Sequence, residues 1–324
     1  MRLLVEFAVG NTIRRVLHLV REEYKHSTVK EPSTPSLRSD SSTSLNELDS
    51  SEAQNSIFPA LSTGGGGGGI KHHESSSMLN LLSNSMSPTV DYSRQCFQLK
   101  QLILQGVNEI VDELKSVSDT LAQQSLEHIH SDEIIMTIGR SKAVEQFLLT
   151  AGKKRQFQVL VAEGAPTFNG HKLARNLAVA GIDTLLISDA AIFALMARVN
   201  KVIIGCHAVT ANGGLIAPSG CQIIASAAKH HSTPVCVVTG LYKLTPIYPE
   251  NHDSVNILGN PDAIVPFAYG NLLQEHVAIV NPHFDYVPPP HVSLFITNTG
   301  AHPPSYVYRL LREMYDLEDY QLDV

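Results

Sequence analysis

The period of the hydrophobic pattern changes near residue 131, where helical spacing gives way to short apolar runs. In residues 11–25, apolar side chains recur every three or four positions opposite a charged face, which predicts an amphipathic helix. Its apolar positions are Ile13, Val16, Leu17, Val20 and Tyr24. A second helical pattern covers residues 93–130. A lone helix as short as the first is marginal in water, so we expect the two to form one helical domain.

The segment between these two helical patterns has a different composition. Residues 26–92 are rich in Ser and Thr and contain six consecutive glycines, Gly64 to Gly69. Such a composition buries too little apolar surface to offset the entropy lost on ordering, so we expect a disordered insertion. The predicted domains are therefore an N-terminal helical segment (1–25), the insertion (26–92), the second part of the helical domain (93–130) and an α/β domain (131–324).

From residue 131 onward, apolar, β-branched runs alternate with helical patterns, which predicts βαβ units. The predicted strands are residues 133–139, 156–163, 183–188, 201–205, 234–238, 277–281 and 294–298, and the predicted helices are 141–154, 171–181, 190–200 and 220–231. The fold class is α/β: an N-terminal helical domain followed by a Rossmann-like, mostly parallel, doubly wound sheet. In such sheets, ligands bind beyond the carboxyl ends of the strands.

Composition and charge narrow the range of functions. The chain has 324 residues, of which 43% are hydrophobic, so a sizeable core is possible, and its net charge of −7 argues against nucleic acid as a direct partner. Four cysteines show no CxxC spacing, and three lie in or beside apolar runs as small core residues, which favours a reduced, intracellular compartment. The first residues, MRLLVEFAVGN, are a poor match to a signal peptide, and no apolar stretch approaches membrane-spanning length. We expect a cytosolic protein that does not contact a membrane.

Two glycine-containing loops follow predicted strands. One lies between a strand and a helix and contains Gly213, Gly214 and Gly220. Free N–H groups at a helix start attract phosphate, so this loop could bind one. Its spacing is neither GxGxxG nor that of a Walker loop, so the glycines could also serve only to form the turn. Gly139 and Arg140 follow the first strand in the same way. Arg140 could bind an anion there, or an acidic residue of a neighbouring chain.

Nucleophilic and metal sites are disfavoured by spacing. Cys206 and His207 are adjacent on an extended segment, so their side chains face opposite sides and do not form a thiolate–imidazole couple. The histidine pairs at 128/130 and 230/231 lack the further ligands of a zinc site. The second pair closes a predicted helix, where a cationic imidazole complements the helix dipole.

Several long motifs occur in the order of one known family: EHIHSDEIIMTIGRS, SDAAIFALMARVNKVIIG, TANGGL, AAKHHSTPV, FDYVPP and PPSYVYRLLREMYD. Over residues 10–25 and 93–324 the chain resembles the beta-type regulatory subunits of eukaryotic translation initiation factor 2B, a guanine-nucleotide exchange factor. Family members carry more helical sequence ahead of residue 11, so the resemblance implies an incomplete chain or a reduced helical domain. The superfamily also includes sugar-phosphate isomerases such as methylthioribose-1-phosphate isomerase.

The resemblance implies that isomerase chemistry has been lost. With the shared glycines aligned, the isomerases' catalytic Cys falls on Gly139, their catalytic Asp on His207, and their Asn-Lys pair on Ala217 and Pro218. Moving a proton between sugar carbons needs a positioned acid/base pair and polarising donors, and these positions no longer supply them. The resemblance therefore implies no catalytic residue, no cofactor and no metal. It leaves a vestigial pocket formed by Gly139, Arg140, His207, Gly213 and Gly214.

The implied role is a non-catalytic regulatory subunit that supports GDP/GTP exchange on initiation factor 2 and its control by phosphorylation of that factor's alpha subunit. The implied partners are the delta, alpha, gamma and epsilon subunits of initiation factor 2B, with exchange catalysis in epsilon, and the alpha subunit of initiation factor 2. His130, Asp132, Ile134 and His171 match positions near the seam with delta. The alternatives are an active sugar-phosphate isomerase and a subunit that senses a sugar phosphate without converting it.

Overall fold

The computed structural model describes residues 7–30, 98–248, 256–268 and 277–320. The chain divides into two compact units, one formed by Met1–Glu23 with Gln98–Val324 and the other by Tyr24–Phe97. Of the second unit only residues 24–30 are described, and they continue the first helix. The predicted insertion, 26–92, therefore lies outside the described residues except at its start, and the predicted domain boundaries stay predictions.

Eight helices and ten strands are described. The helices are α1 (Phe7–Lys30), α2 (Leu99–Gln123), α3 (Ser125–His128), α4 (Lys142–Gly152), α5 (Asn169–Val179), α6 (Ile192–Met196), α7 (Cys221–His230) and α8 (Val307–Met314). The strands are β1 (Ile134–Ile138), β2 (Gln158–Ala162), β3 (Asp183–Ile187), β4 (Lys201–Gly205), β5 (Ala208–Val209), β6 (Leu215–Pro218), β7 (Val235–Val238), β8 (Phe284–Val287), β9 (Leu294–Thr297) and β10 (Gly300–His302).

A seven-stranded sheet organises the α/β part, with strand order β10-β9-β7-β4-β1-β2-β3. All neighbours run parallel except β10, which is antiparallel to β9. Strand β2 is buried on both faces: Val159 and Val161 join one core, and Leu160 and Ala162 join the other. A strand that is buried on both faces needs a layer of helices on each side of the sheet. This arrangement confirms the predicted doubly wound α/β class.

The chain reverses direction across the sheet between β1 and β4. One core packs α2, α4 and α5 on one face, and the other packs α6, α7 and α8 on the opposite face. Because β1 is followed by helices on one side and β4 by helices on the other, a crevice opens beyond their carboxyl ends. This is the edge at which a ligand site is expected.

One predicted strand is wrong. Residues 277–281 form no strand, and Val277 and Val280 are 52% and 60% exposed. The main chain of Asn281 instead accepts a hydrogen bond from Gly259 N, at 2.6 Å, and the next residue is a proline, which cannot donate to a ladder.

The second sheet was missed by the sequence interpretation. It has the antiparallel order β5-β6-β8, so the stretch interpreted as a turn after β4 contains a short hairpin. Strands this short give too few alternating positions for a periodic signal.

Helix α1 packs with a face other than the predicted one. Its buried residues are Phe7, Asn11 and Arg14, at spacings of four and three, and of the predicted apolar positions Tyr24 is buried as well, whereas Ile13 is 43% exposed. The buried face is selected by hydrogen bonds: Asn11 Nδ2 donates to the carbonyl of Tyr242 at 3.1 Å. The apolar periodicity therefore predicted the helix but not the direction in which it faces.

Candidate functional site

A cleft of about 290 Å³ lies beyond the carboxyl end of β1, at the edge of the sheet where ligands are expected to bind. Its walls come from the end of β1, the loop between β2 and α5, the end of β6 and residues 281–284. Of the residues assigned to a vestigial pocket, Gly139 and Arg140 lie in this wall, together with Pro218. His207, Gly213 and Gly214 are not among its lining residues.

The positive charge in the cleft is neutralised from within the chain. Arg140 Nε donates to Glu145 Oε2 at 2.8 Å, and the other carboxylate oxygen of Glu145 accepts from Asn176 Nδ2 at 2.6 Å. The Glu145 side chain is 11% exposed and that of Arg140 is 36% exposed, so only the carboxylate of this pair is largely shielded from solvent. Arg140 thus has a counter-charge in its own chain, which neither of the two alternatives considered from the sequence included.

The start of α7, which could have bound a phosphate, is capped by an aspartate from β8. Gly220 takes φ = +96° ahead of the helix, a conformation that favours glycine. Asp285 Oδ2 accepts from Gly220 N at 2.7 Å and from Gln222 N at 3.1 Å. A carboxylate at a helix N-terminus satisfies free N–H groups and complements the dipole, as a phosphate would. These two donors are therefore occupied by the chain itself.

Replacement of Asp285 by Ala is expected to lower the free energy of unfolding by about 1 kcal/mol, because both capped N–H groups lose their acceptor. Asp285→Asn keeps an acceptor oxygen at the same place and is the matched control, with an expected loss well below that of Ala. Urea unfolding followed by circular dichroism measures both variants. Equal losses for Ala and Asn would contradict the capping role.

Gly213 and Gly214 form the tip of the β5–β6 hairpin. Gly213 has φ = +82°, and its N–H donates to the carbonyl of Thr210 at 2.8 Å. Asn212 closes the turn, since its Oδ1 accepts from Thr210 Oγ1 at 2.6 Å and from Gly214 N at 2.9 Å. Its Nδ2 donates to the Tyr286 hydroxyl at 2.7 Å, which fixes the tip on β8.

His207 and Cys206 have separate surroundings. The His207 ring stacks on Phe284 at a centroid distance of 4.6 Å and meets Phe7 edge-on at 5.9 Å. The Cys206 thiol is buried and donates to Thr239 Oγ1 at 3.2 Å. Burial raises the pKa of this thiol, so the reactive thiolate is disfavoured.

The histidine pairs hold no metal site within the described ranges, where no group of three or more His, Cys, Asp or Glu side chains could hold an ion. His128 is partly buried beside Lys201, whose ammonium group bonds to the His128 carbonyl and to Glu133 Oε1 at 3.3 Å. Burial is the main cause that lowers the pKa of His128. It is therefore a neutral structural residue near neutral pH.

The four predicted interface residues divide between opposite ends of the sheet. His130 and Asp132 precede β1, where His130 Nδ1 lies 2.9 Å from Arg155 Nη1, and Ile134 is the first residue of β1. His171 lies in the first turn of α5, near the carboxyl end of β2, and its ring lies 5.5 Å from that of Phe168. The fold therefore separates His171 from the other three within this chain.

An exposed apolar surface was missed by the sequence interpretation. Strand β3 ends the sheet and, among the described strands, pairs only with β2. Leu185 and Leu186 on this strand are 47% and 43% exposed, and the flanking helices expose Val179 (82%) and Phe193 (53%). We call these four residues the β3 surface. The apolar pattern of residues 183–188 predicts a buried strand. Leu185 and Leu186 are exposed because this strand lies at the edge of the sheet.

Comparison with known proteins places this architecture in a family. A family model described as the initiation factor 2 subunit family matches residues 5–304. The chain belongs to the initiation factor 2 subunit family. This match confirms the resemblance that the order of the sequence motifs indicated. No helix in the described ranges is long and apolar enough to cross a membrane.

Two relatives in the initiation factor 2 subunit family carry the same name. The chain is 45% identical over 325 residues to translation initiation factor eIF2B subunit beta of Schizosaccharomyces pombe, covering 97% of this chain and 81% of the relative. It is 53% identical over 230 residues to eIF2B subunit beta of Dictyostelium discoideum, covering 71% of this chain and 59% of the relative.

A solved assembly and an enzyme are also similar. A chain of the tetrameric eIF2B-beta2-delta2 complex from C. thermophilum matches with a TM-score of 0.55 and 30% identity, covering 68% of this chain and 67% of that chain. Ribose 1,5-bisphosphate isomerase of Pyrococcus furiosus is 28% identical over 216 residues, covering 66% of this chain and 67% of the enzyme. The isomerase relationship is the more distant one, as the resemblance implied.

Proposed function

We propose that this chain is a non-catalytic regulatory subunit of an eIF2B-type complex. In that complex it supports GDP/GTP exchange on initiation factor 2 and the control of exchange by phosphorylation of the factor 2 alpha subunit. The observation that carries the proposal is the state of the cleft. The guanidinium that lines it and the start of α7 next to it are each bonded to a carboxylate of the same chain, Glu145 and Asp285. The two groups that the sequence marked as possible anion ligands are thus bonded within the chain.

The positions that align with the isomerases' catalytic residues also lack the means for isomerisation. General acid/base catalysis needs a titratable group within hydrogen-bond reach of the substrate. Gly139 and Pro218 supply no such group, Ala217 is fully buried, and His207 packs against two phenylalanine rings. We infer that neither isomerisation nor sugar-phosphate sensing is the role of this chain, although both belong to its wider superfamily.

The β3 surface supports association with a partner subunit. Apolar side chains on an unpaired edge strand and on both flanking helices are typical of protein–protein interfaces, and monomeric proteins keep such patches small. A stable interface buries about 800 Å² on each partner, which an edge strand with two helices can supply. We propose that a delta-type subunit covers this surface, with residues 130–134 at one end of the interface and His171 at the other.

The remaining partners follow from the family. We propose that alpha, gamma and epsilon subunits complete the complex in the cytosol, that epsilon supplies exchange catalysis, and that the alpha subunit of initiation factor 2 binds the assembled core. The eIF2B beta names of the relatives support this proposal. The similar chain in the beta2-delta2 assembly supports it for the delta partner.

A reconstituted exchange assay tests the function. The complete complex and one lacking only this chain are mixed with initiation factor 2 loaded with fluorescent GDP, with or without phosphorylated factor 2 alpha subunit. We expect the complex without this chain to release GDP more slowly and to lose its inhibition by the phosphorylated factor. The isolated chain should release no GDP and convert no ribose 1,5-bisphosphate. Unchanged regulation without the chain, or isomerisation by it, would refute the proposal.

A further inference from the structure

Helix α1 is held to the α/β part by an arginine that binds main-chain carbonyl groups. Arg14 is 6% exposed, and its Nε donates to the carbonyl of Asp319 at 3.0 Å. Its Nη2 donates to the carbonyl of Tyr320 at 3.2 Å, and its Nη1 to Asn11 Oδ1 at 3.4 Å. A buried cation is tolerated only when its donors are satisfied, so this contact depends on the position of the C-terminal segment.

A second arginine on α1 binds the same C-terminal segment through its side chains. Arg21 Nη2 donates to Asp319 Oδ1 at 2.9 Å, and its Nη1 pairs with the carboxylate of Glu318. Asp319 is itself 5% exposed, so this carboxylate is shielded from solvent. The main chain and the acidic side chains of one short segment thus bind two turns of α1.

The C-terminal segment is anchored independently of α1. Tyr315, immediately before it, is 2% exposed and donates its hydroxyl to the carbonyl of Leu244 at 2.8 Å. Asp316 then caps the turn at Leu317–Asp319, since its side chain accepts from Glu318 N at 3.3 Å. The carbonyls that Arg14 needs are therefore presented by a turn fixed to the α/β part.

Full burial of apolar side chains is rare along this part of α1. Among residues 7–23 of α1, Phe7 is the only apolar side chain that is buried, whereas Val9 and Ile13 are 45% and 43% exposed. An isolated helix is marginal in water, and helices usually gain their stability from an apolar face. Helix α1 instead depends on charge-assisted hydrogen bonds to residues about 300 positions away in sequence.

We propose that residues 316–320 form a latch that holds helix α1 against the α/β part, so that release of the latch frees the helix. Helix α1 has other polar contacts, from Asn11 to the Tyr242 carbonyl and from Arg15 to Glu113, but both of its buried or partly buried arginines at positions 14 and 21 depend on this one segment. Any partner that displaces residues 316–320 would loosen α1, and a partner that binds α1 would act in return on the latch. Helix α1 and residues 316–320 are thus coupled, although they lie at opposite ends of the described chain.

Hydrogen–deuterium exchange with mass spectrometry tests the latch on the full chain. Arg14→Gln and a chain ending at Tyr315 should each speed exchange of the amides of residues 7–23 by about tenfold or more, since at least one charge-assisted bond is lost. Amides of β1 and β2 should keep their rates. Arg309→Gln is the matched control, because Arg309 forms an exposed pair with Glu313 on α8, outside the contacts that hold α1.

Arg21→Gln provides a milder test, since it removes the partly exposed ion pairs and leaves Arg14 in place. It should speed exchange in α1 by about threefold, a typical effect for a partly exposed ion pair. Unchanged α1 exchange in the chain ending at Tyr315 would overturn the proposal. So would equal acceleration in α1 and in the sheet for all three altered chains, because that pattern reports global destabilisation instead of local release.

Discussion

Replacement of both Leu185 and Leu186 by Glu is expected to abolish co-purification of this chain with a delta-type partner subunit. The expected loss of affinity is at least about 100-fold, because a carboxylate buried at an interface without a partner costs several kcal/mol. The fold should survive, since both leucines are about half exposed on the edge strand. Pull-down and sedimentation velocity of the co-expressed subunits measure the result.

The matched control for this double variant is Leu258→Glu. Leu258 is 65% exposed but lies beside β8 in the second sheet region, away from the edge strand. The control makes the same leucine-to-glutamate change at an exposed position outside the β3 surface. Loss of the partner in the control as well, or its retention in the double variant, would show that the β3 surface is not the pairing surface.

Truncation of Phe147 to Ala is expected to lower the free energy of unfolding by about 3–5 kcal/mol. Phe147 lies on α4, is fully buried and belongs to the core that joins α2, α4 and α5 to the sheet. Removing its ring leaves a cavity that a close-packed interior fills only in part. Guanidinium unfolding of the isolated chain, followed by circular dichroism, gives the value directly.

Phe193→Ala is the control for Phe147→Ala, because it makes the same change at an exposed position, on the β3 surface. Because Phe193 is 53% exposed, its loss should change the free energy of unfolding by no more than about 1 kcal/mol while weakening partner binding. A comparable loss of stability at both positions would contradict the assignment of Phe193 to an interface.

The cleft shows which part of a site follows from topology and which part follows from residue type. Parallel strands and their loops create a crevice beyond the carboxyl ends of the strands, because the position of such a crevice follows from topology alone. The groups that could bind an anionic substrate are bonded to carboxylates of the same chain. Arg140 donates to Glu145, and the start of α7 donates to Asp285. These groups belong to the chain's own hydrogen-bond network, while the edge strand exposes an apolar surface.

The sequence by itself determined the α/β class and the position of most strands and helices. These features follow from local periodicity and from residue type, which are properties of neighbours in the chain. The spacing of Leu173 and Leu177, for example, already predicts that α5 packs on the sheet, and both residues are fully buried.

Only the tertiary structure decided which side of each element meets another element. Asp285 caps a helix that begins at Cys221, and Arg14 binds the carbonyls of residues 319 and 320, through contacts that no local pattern encodes. The exposure of Leu185 likewise depends on β3 lying at the end of the strand order. A hydrophobic pattern reports that a residue prefers burial, whereas its partner and its exposure are set by how distant segments pack.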